Sequence, residues 1–222
     1  MNYKKLLVPA FAAAIGMATA VGAMALAEGS KEGKPAAAGA PAAGQPQLPP
    51  GWTEADMQAC ILAGTPGERH KKLQENVGTW EGKNTMWMMP DAPPMTSDVK
   101  STVTSMMDGR FVRIEMEGDM PGMGPYKGLG LMGYDNVNEK LVANWIDNHS
   151  TAIMNGTGNV SKDGKTMTIE YSYTCPLNKK PAIMREVETI TGPNTKVFEM
   201  FGAEPKSGKE YKMMRIEWTK KS

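Results

Sequence analysis

An acid and an imidazole two residues apart are the first chemistry the chain offers. Asp147 and His149 lie in the segment WIDNHST. Residues i and i+2 of a strand share a face, so the Asp147 carboxylate could orient the His149 ring as a base. Ser150 falls on the opposite face, which excludes a triad made from these three. Methionine is the second resource, with 20 in 222 residues, so the chain is methionine-rich. Met86, Met88 and Met89 cluster, as do Met116, Met120 and Met123, and then Met213 and Met214. Thioethers are soft ligands suited to Cu(I). They also fill irregular apolar space and make an adaptable wall. No Met-rich repeat or clustered His accompanies them, so packing is the simpler reading, with the Met120–Met123 segment as its exception.

The remaining candidates have plainer explanations. His70 sits beside Arg69, Lys71 and Lys72 and reads as part of a solvated helix face. Asp135, Asn136, Asn138 and Glu139 lack the spacing of a calcium loop and read as a turn, since Asp and Asn side chains hydrogen-bond their own backbone. No zinc spacing, phosphate loop or paired-carboxylate motif is found, and no metal or cofactor is expected.

Positioning these residues requires strands. Tyr126–Thr151 reads as two antiparallel strands around the Asp135–Asn138 turn, with Leu141, Ala143 and Trp145 on one face. Gly128, Gly130 and Gly133 let the first of these strands bend and lie close to its neighbour. Trp145, large and opposite small residues, is expected to anchor the sheet. The same pattern predicts strands over Thr79–Met89, Ser97–Met107, Arg110–Glu117, Tyr126–Tyr134, Lys140–Asp147, Thr151–Val160, Thr166–Thr174, Ala182–Thr191, Lys196–Gly202 and Glu210–Thr219. Asp108-Gly109 and Asp163-Gly164 are the strongest hairpin turns. About ten short strands without βαβ units point to an all-β fold, consecutive hairpins to an up-and-down meander, and the need to remove exposed edges to a closed barrel.

Two short helices precede the strands. Thr53 with Asp56 three residues on has the form of a capping box, for a helix ending near Gly64. Pro66 begins the second, which carries His70, Leu73 and Val77 up to Gly78.

Upstream, Lys4 and Lys5, the apolar run Leu6–Ala23 and the A-x-A site Ala25-Leu26-Ala27 predict an export signal over residues 1–27. Residues 28–50 are dominated by Ala, Gly and Pro, the composition of a disordered tether. Residues 51–222 are then one barrel domain, exported to the periplasm or beyond the cell, with no later run long enough to span a membrane. A formal charge of +1, from scattered basic residues, gives no field for nucleic acid. In an oxidising compartment the two cysteines, Cys60 and Cys175, either form one disulfide or are two thiols that never meet.

GTWEGK at Gly78–Lys83, EGDMPGMGPYKGLGLMGYDN at Glu117–Asn136 and WIDNHST at Trp145–Thr151 resemble a bacterial family known as domain of unknown function 1579. The likeness continues through Arg185-Glu186-Val187 and the last strand. It implies a lipocalin-like barrel but supplies no catalytic or ligand residues. Family members typically have a serine near Asn148, where this chain has Asn148-His149. The GxWxG turn at Gly78–Gly82 also resembles the opening of nitrobindin-type haem barrels.

The reading that follows is a lipocalin-like barrel that binds a small apolar ligand without catalysis, lined by Trp80, Met88, Ile114, Met116, Met132, Trp145, Ile169 and Tyr171. The alternatives are an enzyme using Asp147 and His149 at the barrel mouth, a haem protein with His149 as axial ligand, or an envelope protein with a filled core.

Overall fold

The computed structural model describes residues 48–222. The export signal and most of the tether expected upstream lie outside the described residues. Ten antiparallel strands follow two short helices: α1 (Glu54–Gly64), α2 (Glu68–Gln74), β1 (Gly78–Met86), β2 (Met95–Met106), β3 (Phe111–Met120), β4 (Gly124–Asp135), β5 (Lys140–Asp147), β6 (Met154–Val160), β7 (Thr166–Thr174), β8 (Pro181–Gly192), β9 (Thr195–Ala203) and β10 (Glu210–Lys220). Each strand pairs with its neighbours in sequence, and β1 pairs with β10 to close the barrel. Closure leaves no strand edge unpaired. Among the described residues no helix is long and apolar enough to cross a membrane.

The turns follow from local chemistry. At the β2–β3 hairpin Met107, Asp108 and Gly109 all take positive φ, and Gly164 does so between β6 and β7. Asp135 Oδ1 accepts from the backbone N–H of Val137 and Asn138, which closes the β4–β5 turn. Asn136 turns outward from it and donates to the carbonyls of Leu62, Ala63 and Thr65. Those carbonyls lie at the C-terminal end of α1, where Leu62 O also accepts the N–H of the C-cap Thr65. Arg110 Nε adds a 3.0 Å bond to Gly64 O. Both contacts fix α1 at one end of the barrel, beside the β2–β3 and β4–β5 turns.

The second helix differs from expectation. It starts at Glu68 after an N-cap at Gly67, so Pro66 precedes it, and Val77 lies beyond its last residue. His70 is 4% exposed and faces the barrel, not solvent. Its Nδ1 accepts the Gly67 N–H at 3.0 Å and its ring meets Tyr134 edge-on. A seven-residue helix has room for one apolar stripe, and its packing on the barrel end takes His70 and Leu73 together, leaving Lys71 and Lys72 outside. Leu73 is fully buried here, in one core cluster with Leu141 at the start of β5. The helix end of the barrel is therefore plugged.

The cysteines are free, Cys60 exposed on α1 and Cys175 buried just after β7. The meander explains why no bridge forms. The β4–β5 turn that holds α1 and the β7–β8 turn that holds Cys175 lie at opposite ends of the barrel. Nine residues of β7 separate those ends, roughly 25 Å of extended chain. A disulfide needs Cα atoms within about 7 Å.

Candidate functional site

Above the plug the barrel is hollow. A cavity of about 360 Å³ opens toward the end opposite the helices. Its mouth is formed by Met88, Met123, Tyr126, His149 and Tyr211. Lower down, Met86, Met116, Met132, Met154, Met184, Met200 and Met214 surround it with Ile114, Trp145 and Phe198. Most of these methionines come from different strands, so the wall is a product of the barrel and not of a local repeat. Flexible, polarisable thioethers suit such a wall because they repack around an occupant.

Trp80 closes the floor. It is 5% exposed, and its Nε1 donates to Asn76 O at 2.9 Å. The glycines of the GTWEG segment have separate physical reasons. Gly78 takes φ +137, a conformation L side chains rarely adopt. At Gly82 a Cβ would come within 2.7 Å of Ile216 and closer still to Trp218 on the neighbouring strand. Trp145 is half-buried and lies across Gly128 and Gly130 of β4, where it also borders the cavity. Anchor and cavity wall are thus the same ring.

Six of the eight expected lining residues, Trp80, Ile114, Met116, Met132, Trp145 and Tyr171, border the cavity from strand positions. Met88 borders it differently: β1 stops at Met86, and Met88 is 54% exposed in the loop that follows. The Tyr211 hydroxyl donates to Met88 O there. Ile169 is not part of the lining. It faces inward like Tyr171 but packs against Gly156 in the core cluster.

Asp147 and His149 both border the mouth but do not pair as expected. Asp147 Oδ1 accepts the backbone N–H of His149 at 2.9 Å, and His149 Nε2 lies 3.2 Å from Pro125 O. The ring stacks on Tyr126 with centroids 5.8 Å apart. β5 ends at Asp147, so strand parity no longer holds at His149, and the carboxylate caps the turn.

The polar residues that matter most come from β7, β8 and β9. Glu186 and Glu188 stand two apart on β8 and both face the interior, a paired-carboxylate arrangement the sequence reading did not find. Lys196 of β9 bonds Glu188 at 3.0 Å and Asn76 Oδ1 at 3.1 Å, with its ammonium 4.4 Å from the Trp80 ring centre. Glu186 has no such cation. Burial and the Glu188 charge push its carboxyl up to about 7, opposed by the Tyr171 hydroxyl and Lys196. Burial and the Glu186 charge in turn push Tyr171 well above its ordinary range. On β1, Asn84 Oδ1 is buried with no hydrogen-bond partner. Among the described residues no three His, Cys, Asp or Glu side chains converge, so thioethers are the soft-metal ligands the cavity could offer.

A closed antiparallel barrel, plugged at one end and hollow at the other, is of the lipocalin-like class. The chain belongs to the DUF1579 family, described as protein of unknown function, whose model matches residues 65–220. No curated protein matches its sequence. Among solved structures, Rv2717c from M. tuberculosis is similar with a TM-score of 0.55 and 12% identity, over 71% of this chain and 100% of that one. The S-type phycobiliprotein lyase CPES from Guillardia theta is similar with a TM-score of 0.50 and 12% identity, over 71% of this chain and 99% of that one. At these identities the likeness is one of fold.

Proposed function

We propose that this protein is exported and binds one small, largely apolar ligand inside the barrel without transforming it. The single observation that carries the reading is the cavity: about 360 Å³, walled by methionines and aromatic rings, with polar groups gathered at Glu186, Tyr171 and Lys196. Small-molecule sites have this character, an apolar enclosure with few placed polar groups. The likeness to the lyase and to Rv2717c is one of barrel fold and carries no substrate across.

Binding is tested with 1-aminoanthracene, an apolar fluorophore of suitable size. Trp80, Trp145 and Trp218 border the cavity, so their emission should transfer to an enclosed probe. Saturable one-to-one binding with blue-shifted probe emission supports the proposal, and a linear, unsaturable response overturns it. Export is tested separately by intact mass of the protein from its own host, which should correspond to a chain starting at Glu28.

A further inference from the structure

We infer that the ligand carries a protonated amine, which enters the cavity facing the Glu186 carboxylate, while its apolar body fills the methionine-lined space above. This rests on the ligand-binding function proposed above and specifies the chemistry of the ligand's polar end.

The argument is a count of donors and acceptors around the cavity. Lys196 is the one buried lysine among the described residues, and it is fully engaged. It bonds Glu188 Oε2 and Asn76 Oδ1 and rests on the Trp80 ring. An anionic head would therefore find no free cation and would meet two carboxylates, an unfavourable encounter in a low-dielectric enclosure. Glu186 borders the cavity with only the neutral Tyr171 hydroxyl donating to it. A second acceptor is also left over in the buried wall, although Asn84 does not itself border the cavity. Asn84 is 4% exposed, on the inward face of β1 between Trp80 and Met86, and its Oδ1 has no partner. Above a pH of about 7 the Glu186 carboxylate only accepts, so the cavity offers its charge to a donor head. A primary ammonium supplies three donors and one positive charge. It would pair with Glu186, the carboxylate of the buried β8 pair that lacks a cation.

Three probes with the same eight-carbon chain isolate the head: octylamine, octan-1-ol and octanoate, each competed against bound 1-aminoanthracene near pH 8. Octylamine is expected to displace the fluorophore at concentrations about tenfold lower than either other probe, the factor expected of about 1.4 kcal/mol from one new ion pair. In Glu186→Gln that preference should vanish. As a check independent of the variant's folding, lowering the pH of the wild type to about 5.5 should also erase it, since Glu186 is then protonated. The other titratable groups facing Glu186 are Glu188 of β8, Tyr171 of β7 and Lys196 of β9. Equal or stronger displacement by octanoate or octan-1-ol overturns the inference while leaving ligand binding intact. So does an amine preference that survives in Glu186→Gln. If no probe enters, including 1-aminoanthracene, the binding function itself falls and the inference with it.

Discussion

Trp145 Nε1 donates a 3.0 Å hydrogen bond to the Tyr126 hydroxyl. The bond spans the β4–β5 hairpin and holds the indole over Gly128 and Gly130, where a Cβ at either position would collide with it. Tyr126 also carries the stacked His149 ring on its other neighbour contact. The barrel wall and the mouth of the cavity are in this way joined through two side chains.

Trp145→Ala should therefore destabilise the fold by about 3 kcal/mol, through lost burial and the space left above the glycines. Tyr126→Phe removes only the hydrogen bond and should lower stability by about 1 kcal/mol. Chemical denaturation of both variants checks the order. Equal effects would mean that the hydrogen bond, and not the ring's packing, anchors the hairpin.

Lys196→Met leaves Glu188 buried beside Glu186 with no cation. Breaking a buried pair from one side destabilises by roughly 3–5 kcal/mol, whereas replacing both partners is far milder. The double variant Lys196→Met/Glu188→Leu should recover most of the loss. Thermal unfolding of the two variants tests it, and a double variant as unstable as the single one would contradict the pairing.

Stability should fall as pH rises through neutrality. Glu186 holds its proton up to about 7 in the fold against an ordinary value of 4.5. A raised folded-state value means that stability from this group is fully present below about 4.5 and is lost as pH climbs through about 7. The difference amounts to about 3 kcal/mol between these limits. Glu186→Gln should flatten that part of the profile and be the more stable protein near pH 8. A wild-type profile that rises over this interval, after subtraction of the Glu186→Gln profile, would contradict the assignment.

The two thiols should behave independently. In the native protein only exposed Cys60 should react rapidly with a thiol reagent, and after denaturation without reductant both should react. Reduction should leave the melting temperature unchanged. Loss of stability on reduction would contradict the free thiols placed at opposite ends of the barrel.

The strands were legible because their signals are local. Lys140–Asp147 and Thr166–Thr174 begin and end where alternation and turn residues put them. Met88 was misplaced by a local ambiguity: Trp87, Met88 and Met89 continue the strand composition, but Pro90, Pro93 and Pro94 leave the backbone few donors, and β1 stops at Met86. His70 was hidden for a different reason. Its charged sequence neighbours mark a polar face, and only the docking of a seven-residue helix decides which side turns inward. Glu186 and Glu188 show the limit most clearly. A rule that buries apolar side chains would turn Ile183 and Val187 of β8 inward. The observed face is acidic because Lys196 and Tyr171, on the two strands beside β8, make burial of those carboxylates affordable. Such pairing is a property of the sheet's register and is absent from any one strand.

Native mass spectrometry of the protein purified from its own host tests the central claim, that the barrel encloses a small ligand. The account predicts a bound species of a few hundred daltons, released on denaturation and lost when the cavity is narrowed by Ala143→Phe, a substitution at a residue that borders it. A homogeneous mass equal to the bare chain, together with no saturable uptake of 1-aminoanthracene, would contradict it.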